Sequence, residues 1–286
     1  MAQAMGDIKR RMRSINNTKQ ITKAMHLVSS AKLRKAREKA ETTRPYYETV
    51  ISSVQRVLAN AKGVRHPFLE KREVKKTAYI VITADRGLAA GYNGNIIKLA
   101  ESQMKDKSSS SIIAIGLKGR EYFKKRGYEI AGEFVGMTEK PEFSHARNAG
   151  NIALNLYEKG EVDEVILLYT KFKSAISQEP TAIKLLPAEI EDSKNDDNSA
   201  KTLTEYEPSP EEVLEYLIPK YIQSAIYGGL VEASASQQGA RMTAMESATD
   251  NAEEIIEGLE LTYNRARQAS ITQEISEIVG GAEALK

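Results

Sequence analysis

After Pro219 the chain has no further proline, and apolar or small residues then recur at alternating steps of three and four. Met242, Met245, Thr249, Ala252, Ile256, Leu259, Tyr263 and Ala266 all fall on one heptad seam. A repeat near 3.5 residues specifies a long helix wound left-handedly on a partner helix. From Lys220 to Val279 such a helix would run roughly 90 Å at about 1.5 Å per residue, too long to lie on one compact domain. The sequence therefore predicts a projecting coiled coil, with an amphipathic helix sunk in a helical bundle as the alternative. Ser209-Pro210-Glu211-Glu212 marks its start: Ser209 as N-cap, Pro210 at the first helical position, and Glu212 placed to close a capping box.

A partner is available at the other end of the chain. From Asp7 to about Ala61 the pattern is helical, with Ile8, Met12, Ile15, Ile21, Met25, Val28 and Ala31 as an apolar stripe. Pro45 is expected to bend or interrupt this helix, and Tyr46, Val50, Ile51, Val54, Val57 and Leu58 carry the pattern on. Ser29, Ser30, Ala31 and Ala36 are small enough to let a second helix approach closely. If the intervening residues place their entry and exit side by side, the two helices run antiparallel. Charge agrees with pairing: residues 1–44 hold twelve Lys/Arg against Asp7, Glu38 and Glu41. The opposing stretch carries Glu246, Asp250, Glu253, Glu254, Glu257 and Glu260, with no basic residue between Met242 and Asn264. Opposite signs allow the two segments to pair, or to face different partners.

Between them the texture changes. Ala78–Thr83, Ser111–Gly116 and Val165–Tyr169 are short apolar runs of the kind buried parallel strands show, and Tyr128–Phe134 and Thr181–Leu186 read as two more. Helical patterns follow through Met104, near Lys118–Lys125 and over Ala146–Tyr157. Alternation of this kind predicts a Rossmann-like α/β domain with a mainly parallel sheet. The expected division is a coiled-coil helix over 1–62, the α/β domain over 74–205 and a second coiled-coil helix over 209–286. Asp192–Ala200 reads as an exposed loop.

Chemistry is hard to find. With no cysteine there is no disulfide, thiol catalysis or thiolate metal site. His26, His66 and His145 lie on different elements with no carboxylate at ligand spacing, so no metal is expected. The loop Asp85–Gly94 is Gly-rich and follows a strand, but Gly87, Gly91 and Gly94 match neither dinucleotide nor P-loop spacing, and no Lys-Ser/Thr follows. A tight strand-to-helix turn without useful nucleotide affinity is expected there. No catalytic constellation is evident, and no cofactor is implied. Residues 1–13 have no apolar core after them to make a signal peptide, and no run of eighteen apolar residues exists to span a membrane. A cytoplasmic protein, free or held to a membrane by partners, fits. The cations of the first helix could meet nucleic acid phosphates, solvent alone, or an acidic protein, but they go all round the helix and no recognition module follows.

Three stretches resemble one family. Lys19-Gln20-Ile21-Thr22-Lys23-Ala24-Met25 with Ala31-Lys32-Leu33-Arg34-Lys35, then Ala240–Met245 with Ala248–Ala252, and most specifically Tyr263–Ala282, resemble the γ subunits of rotary ATP synthases. The middle agrees at Asp85-Arg86-Gly87-Leu88 and departs at Ala89-Ala90, where the bacterial pattern usually has Cys-Gly. No counterpart of the redox-regulated insert of chloroplast γ subunits is evident, which points to the bacterial type. The resemblance implies a non-catalytic rotor shaft that turns with the proton-driven membrane c-ring inside a hexamer of α and β subunits, its α/β domain resting on the ε subunit and the ring. It also implies roles. Lys9, Arg10, Arg13, Lys19 and Lys23 would face the acidic C-terminal loop of β. Arg267 and Gln268 would hydrogen-bond a β loop. Ile271, Ile275 and Ile278, which form a stripe displaced from the seam, would run in the hexamer's apolar sleeve. Pairing along the seam is expected to fade past Ala266, where Ser270, Gln273 and Glu277 come onto it. The rival reading is a cytoplasmic coiled-coil adaptor whose α/β domain binds a ligand or nucleic acid.

Overall fold

The computed structural model describes residues 2–60, 66–70, 72–188 and 209–284. The expected Asp192–Ala200 loop lies outside them. Two helices bracket the chain, α1 (Ala2–Asn60) and α5 (Pro210–Ala284). Between them come a 3-10 turn at Pro67–Leu69, β1 (Thr77–Ile82), α2 (Tyr92–Gln103), β2 (Ser110–Ile115), α3 (Leu117–Lys125), β3 (Glu129–Phe134), α4 (Phe143–Glu158), β4 (Glu164–Phe172) and β5 (Gln178–Leu186). These fall into two compact units, residues 31–241 and residues 1–30 with 242–286.

In the larger unit the sheet runs β3-β2-β1-β4-β5, parallel throughout except for the β4–β5 hairpin. All six residues of β1 and of β2 are buried, as expected of central parallel strands covered on both faces. Alternation sorts their side chains. Ile80, Ile82, Ile113, Ile115 and Leu167 pack on one face against Ala146, Ala149 and Ala153 of α4 and Ile218, Ile222, Ile226 and Leu230 of α5. Tyr79, Val81, Ile112, Ala114 and Leu168 pack on the other against Ile96, Ile97 and Ala100 of α2 and Phe123 of α3. The early part of α5 is therefore a core helix of the α/β unit, whereas periodicity had assigned everything from Lys220 to a projecting coil. Its residues 228–241 are buried all round. Small side chains permit this: a Cβ on Gly228 would stand 2.9 Å from the Tyr47 ring, and one on Gly229 3.3 Å from Leu167 and Tyr169.

Ser209 caps α5 as expected, its hydroxyl accepting from the Glu212 amide at 3.3 Å. Pro45 does not interrupt α1, which continues to Asn60. An interior proline removes one backbone bond and costs about 3 kcal/mol. Here Arg44 and Tyr47, on either side of it, are both bonded to Glu232 of α5, and Thr49 donates to the Pro45 carbonyl at 2.7 Å. Tertiary contacts hold the helix across the proline.

Candidate functional site

The smaller unit is an antiparallel helix pair. Thr22 meets Thr249 hydroxyl to hydroxyl at 2.8 Å, and the Lys19 ammonium donates to Glu253, so position numbers fall on α1 as they rise on α5. On α5 the seam stands as the heptad gives it: Met245 and Ala252 are buried, and Met242, Thr249, Ile256, Leu259, Tyr263 and Ala266 are half-buried. Pairing persists one turn longer than expected, to a buried Ser270, whose hydroxyl donates to Glu274 at 3.2 Å. A small hydroxyl that bonds within its own helix costs little to bury. From Ile271 to Ala282 every residue is exposed.

The stripe on α1 differs from expectation. Ile8, Met12, Ile15 and Met25 do face the seam, but Ile21, Val28 and Ala31 are exposed, and so is Ser30. Lys19, Thr22, His26 and Ser29 take the inward positions instead. Steps of four and three from Ile15 land on them, and two of the four, Lys19 and Thr22, find partners on α5. Thr22 bonds Thr249 and Lys19 lays its aliphatic stem across the seam to reach Glu253. Apolarity alone therefore misplaced the stripe, while spacing carried from Ile15 finds it. Ile21, Leu27 and Val28 remain as exposed apolar side chains on the outside of α1.

Of the cations assigned to a partner, Lys9, Arg13 and Lys23 are exposed, and Arg10 is exposed while paired to Asp7 at 2.6 Å. Lys19 is committed within the helix pair, where it holds the Glu253 carboxyl below its usual range. Arg267 and Gln268 are both exposed on the face away from the seam. Ile271, Ile275 and Ile278 are 48, 56 and 71% exposed, with Val279 beside them.

The Gly-rich loop after β1 is closed by its own side chains. The Asp85 carboxylate accepts from the amides of Gly136 (2.8 Å), Leu117 (3.1 Å) and Thr138 (3.1 Å), and from the Thr138 hydroxyl (2.8 Å). Burial pushes its pKa up, but these bonds outweigh that and hold it below the usual aspartate range. Leu117 opens α3, so Asp85 occupies the place where a helix N-terminus would otherwise offer its amides to an outside anion. Asn93 accepts from the Ala84 amide at 2.8 Å and completes the turn. Among the described residues no cluster of His, Asp or Glu could hold a metal, and no helix is long and apolar enough to cross a membrane.

Two carboxylates of the larger unit, one half-buried and one buried, escaped sequence reading. Glu139 pairs with Lys32 of α1 at 2.7 Å and stands 3.7 and 3.8 Å from Arg241 and Arg86. Burial raises its pKa, and the three cations more than reverse the effect. Burial in turn lowers the pKa of Arg241, which is 5% exposed. Glu232 accepts from Arg44 and Tyr47 of α1. A signal for Glu232 was present: it is the only charged residue between Lys220 and Arg241. A lone charge in so uncharged a run must be solvated by the protein itself.

Two long helices from opposite ends of the sequence that pair with each other, with an α/β domain inserted between them in the chain, define a class built on a coiled coil. Comparison narrows the class. Residues 4–285 match the family described as ATP synthase. The ATP synthase gamma chain of Alkaliphilus metalliredigens is 58% identical over all of both chains, and the sodium ion specific ATP synthase gamma chain of Acetobacterium woodii is 50% identical, again over all of both. The chain belongs to the ATP synthase gamma chain family, a non-catalytic subunit. Its fold also matches the rotor of the Euglena gracilis mitochondrial ATP synthase, with a TM-score of 0.69 at 19% identity over 95% of this chain and 100% of that one. The central stalk and c-ring structure from Tetrahymena thermophila matches at 0.61, with 25% identity over 80% of this chain and 99% of that one.

Proposed function

We propose that the chain is the central rotor shaft of an ATP synthase, coupling ion-driven rotation of a membrane c-ring to ATP synthesis at the β subunits. Its partners are the hexamer of α and β subunits, the ε subunit and the ring. It is a peripheral part of that complex, placed on the cytoplasmic face of the cell membrane and spanning nothing itself. Residues 1–30 and 242–286 serve as the shaft, and residues 31–241, which hold the α/β domain, as the foot.

The observation that carries this reading is the end of pairing at Ser270, followed by the exposed stripe of Ile271, Ile275, Ile278 and Val279. Such a stripe has no partner within the described residues and calls for an outside apolar surface. The hexamer's sleeve supplies one, and we assign Ile271, Ile275 and Ile278 to that bearing. Arg267 and Gln268, facing outward just before it, are assigned to hydrogen bonds with a β loop that report rotor angle. Lys9, Arg10, Arg13 and Lys23 form a diffuse cationic surface toward β, to which Lys19 contributes its field from within the pair.

Two measurements test the reading. Mixed with α and β subunits, the chain should co-elute with the hexamer in gel filtration. Elution apart from it would favour the adaptor reading. Each charge-assisted hydrogen bond is worth about 1.5–3 kcal/mol. Arg267→Ala with Gln268→Ala should therefore slow coupled synthesis in vesicles at least about tenfold while leaving assembly intact. Unchanged synthesis would remove these two residues from the site.

A further inference from the structure

The middle of α1 has little to hold it to the rest of the larger unit. Among the described side chains of its residues 31–60, the buried apolar ones are Leu33, Ala40 and Val54. A gap of thirteen residues separates the last two. Glu232 fills that gap. It is 2% exposed, and its Oε1 accepts from Arg44 Nη2 and from the Tyr47 hydroxyl, each at 3.0 Å. Its Oε2 accepts from the amide of Phe172, the last residue of β4, at 3.3 Å. One carboxylate on α5 thus joins α1 to the end of a core strand. Directly beneath, Gly228 lets the Tyr47 ring lie against the α5 backbone.

Lys32, paired with Glu139, and Lys39, donating to the Pro141 carbonyl, fix α1 up to Ala40, but between Ala40 and Val54 no buried apolar side chain among the described residues resists its rotation or sliding. Hydrogen bonds to a fixed carboxylate are directional, and those with a charged partner are roughly twice as strong as neutral ones. A buried ion pair adds little net stability over a well-packed apolar replacement, whereas it fixes geometry. The cost of burying Glu232 is therefore better explained by orientation than by stability.

We propose that Glu232 is a positioning residue for torque transfer: through Arg44 and Tyr47 it pins α1 to α5 and to the end of β4, so that both helices turn with the sheet as one body. This rests on the rotor-shaft reading. Without the pin, α5 stays anchored through Ile218, Ile222, Ile226 and Leu230, while α1 yields under load. The defect should thus scale with the opposing force and vanish when there is none.

The test uses the complete complex reconstituted into vesicles, with wild-type chain, Glu232→Gln, and the pair Arg44→Ala with Tyr47→Phe. Glu232→Gln keeps the shape and removes the charge; the pair leaves Glu232 in place and removes its two α1 donors. ATP synthesis is measured across stepped driving forces, and ATP hydrolysis on the complex released from the ring. Both variants should hydrolyse at the wild-type rate, yet lose about fivefold or more of synthesis near the threshold driving force, the loss shrinking as that force rises. Arg44→Lys, which keeps the charge, should recover part of it. Equal losses in synthesis and hydrolysis would mean a merely structural role and overturn the proposal, as would unchanged synthesis. If Glu232→Gln fails to assemble, the pair decides alone, and its failure to assemble also overturns the proposal. A wild-type chain that never joins the hexamer would instead sink the shaft reading.

Discussion

At the scale of single residues, the loop after β1 holds two features that can be tested directly. Ala90 sits at φ 45°, in the left-handed region that glycine adopts freely and alanine does not. The sequence marks this position, since it is where the chain departs from the usual bacterial Cys-Gly, but only the backbone shows that the departure is strained. Ala90→Gly should raise stability by about 0.5–1 kcal/mol, after subtracting the greater freedom glycine brings to the unfolded chain. Denaturant unfolding measures this, and no change or a loss would mean the loop has relaxed around alanine. Asp85 is the second feature. Its folded pKa lies below the unfolded one, so its contribution is complete above the ordinary aspartate range and is lost as pH falls through the folded value. Asp85→Asn turns an amide toward groups that all donate, and should cost about 1.5–3 kcal/mol at pH 7. That difference should narrow below about pH 4 as the wild-type carboxylate protonates. A difference constant from pH 7 to pH 3 would contradict the role given to the charge. The sequence predicted that this loop would not grip phosphate. It could not show that Asp85 takes the anion's place, because all four donating groups come from residues 32 to 53 positions away.

Elements were legible to the degree that one physical signal governed them. All five strands and the helices between them followed from apolar runs and breaks, because a buried parallel sheet leaves few other ways to place β-branched residues. The α5 seam was legible for the same reason: Met, Ile and Leu mark it. The inward face of α1 was not, since Lys19, Thr22, His26 and Ser29 look like surface residues, and only the facing Thr249 and Glu253 make them interior. Nor could periodicity tell where α5 stops being a domain helix, because burial on all sides erases the stripe on which the method depends. The outward face of α1 bears on function. Exposed cations such as Lys9, Arg13 and Lys23 each contribute about 0–1 kcal/mol to any single pair. Single alanine changes at these positions should therefore leave ATP turnover within about fivefold of wild type, and the triple change should impair it by about the product of the three single effects. Loss of turnover from one of them alone would replace a diffuse surface with a specific contact.

For the whole molecule, the family and the antiparallel arrangement were readable from the two ends of the sequence, while the driving ion was not. The resemblance implied protons, yet a chain named sodium ion specific is 50% identical over its entire length. A shaft touches no transported ion, so this part of the machine carries no imprint of the choice. Synthesis in vesicles should therefore follow the ion specificity of the membrane ring with which this chain is combined, and an ion requirement that travelled with this chain would contradict that. The place of α5 in the sheet's core has a further consequence, for the order in which the protein can be made. The four side chains Ile218, Ile222, Ile226 and Leu230 cover one face of a sheet whose last strand ends at Leu186. A ribosome adding about 5–20 residues per second finishes that strand seconds before the helix that must cover it emerges. The strands can pair in that interval, but the part of one apolar face that α4 leaves uncovered stays open to water and to chaperones until about four fifths of the chain is out. Lys19 and Thr22 wait longer still, because their partners Thr249 and Glu253 follow Leu230 in the chain.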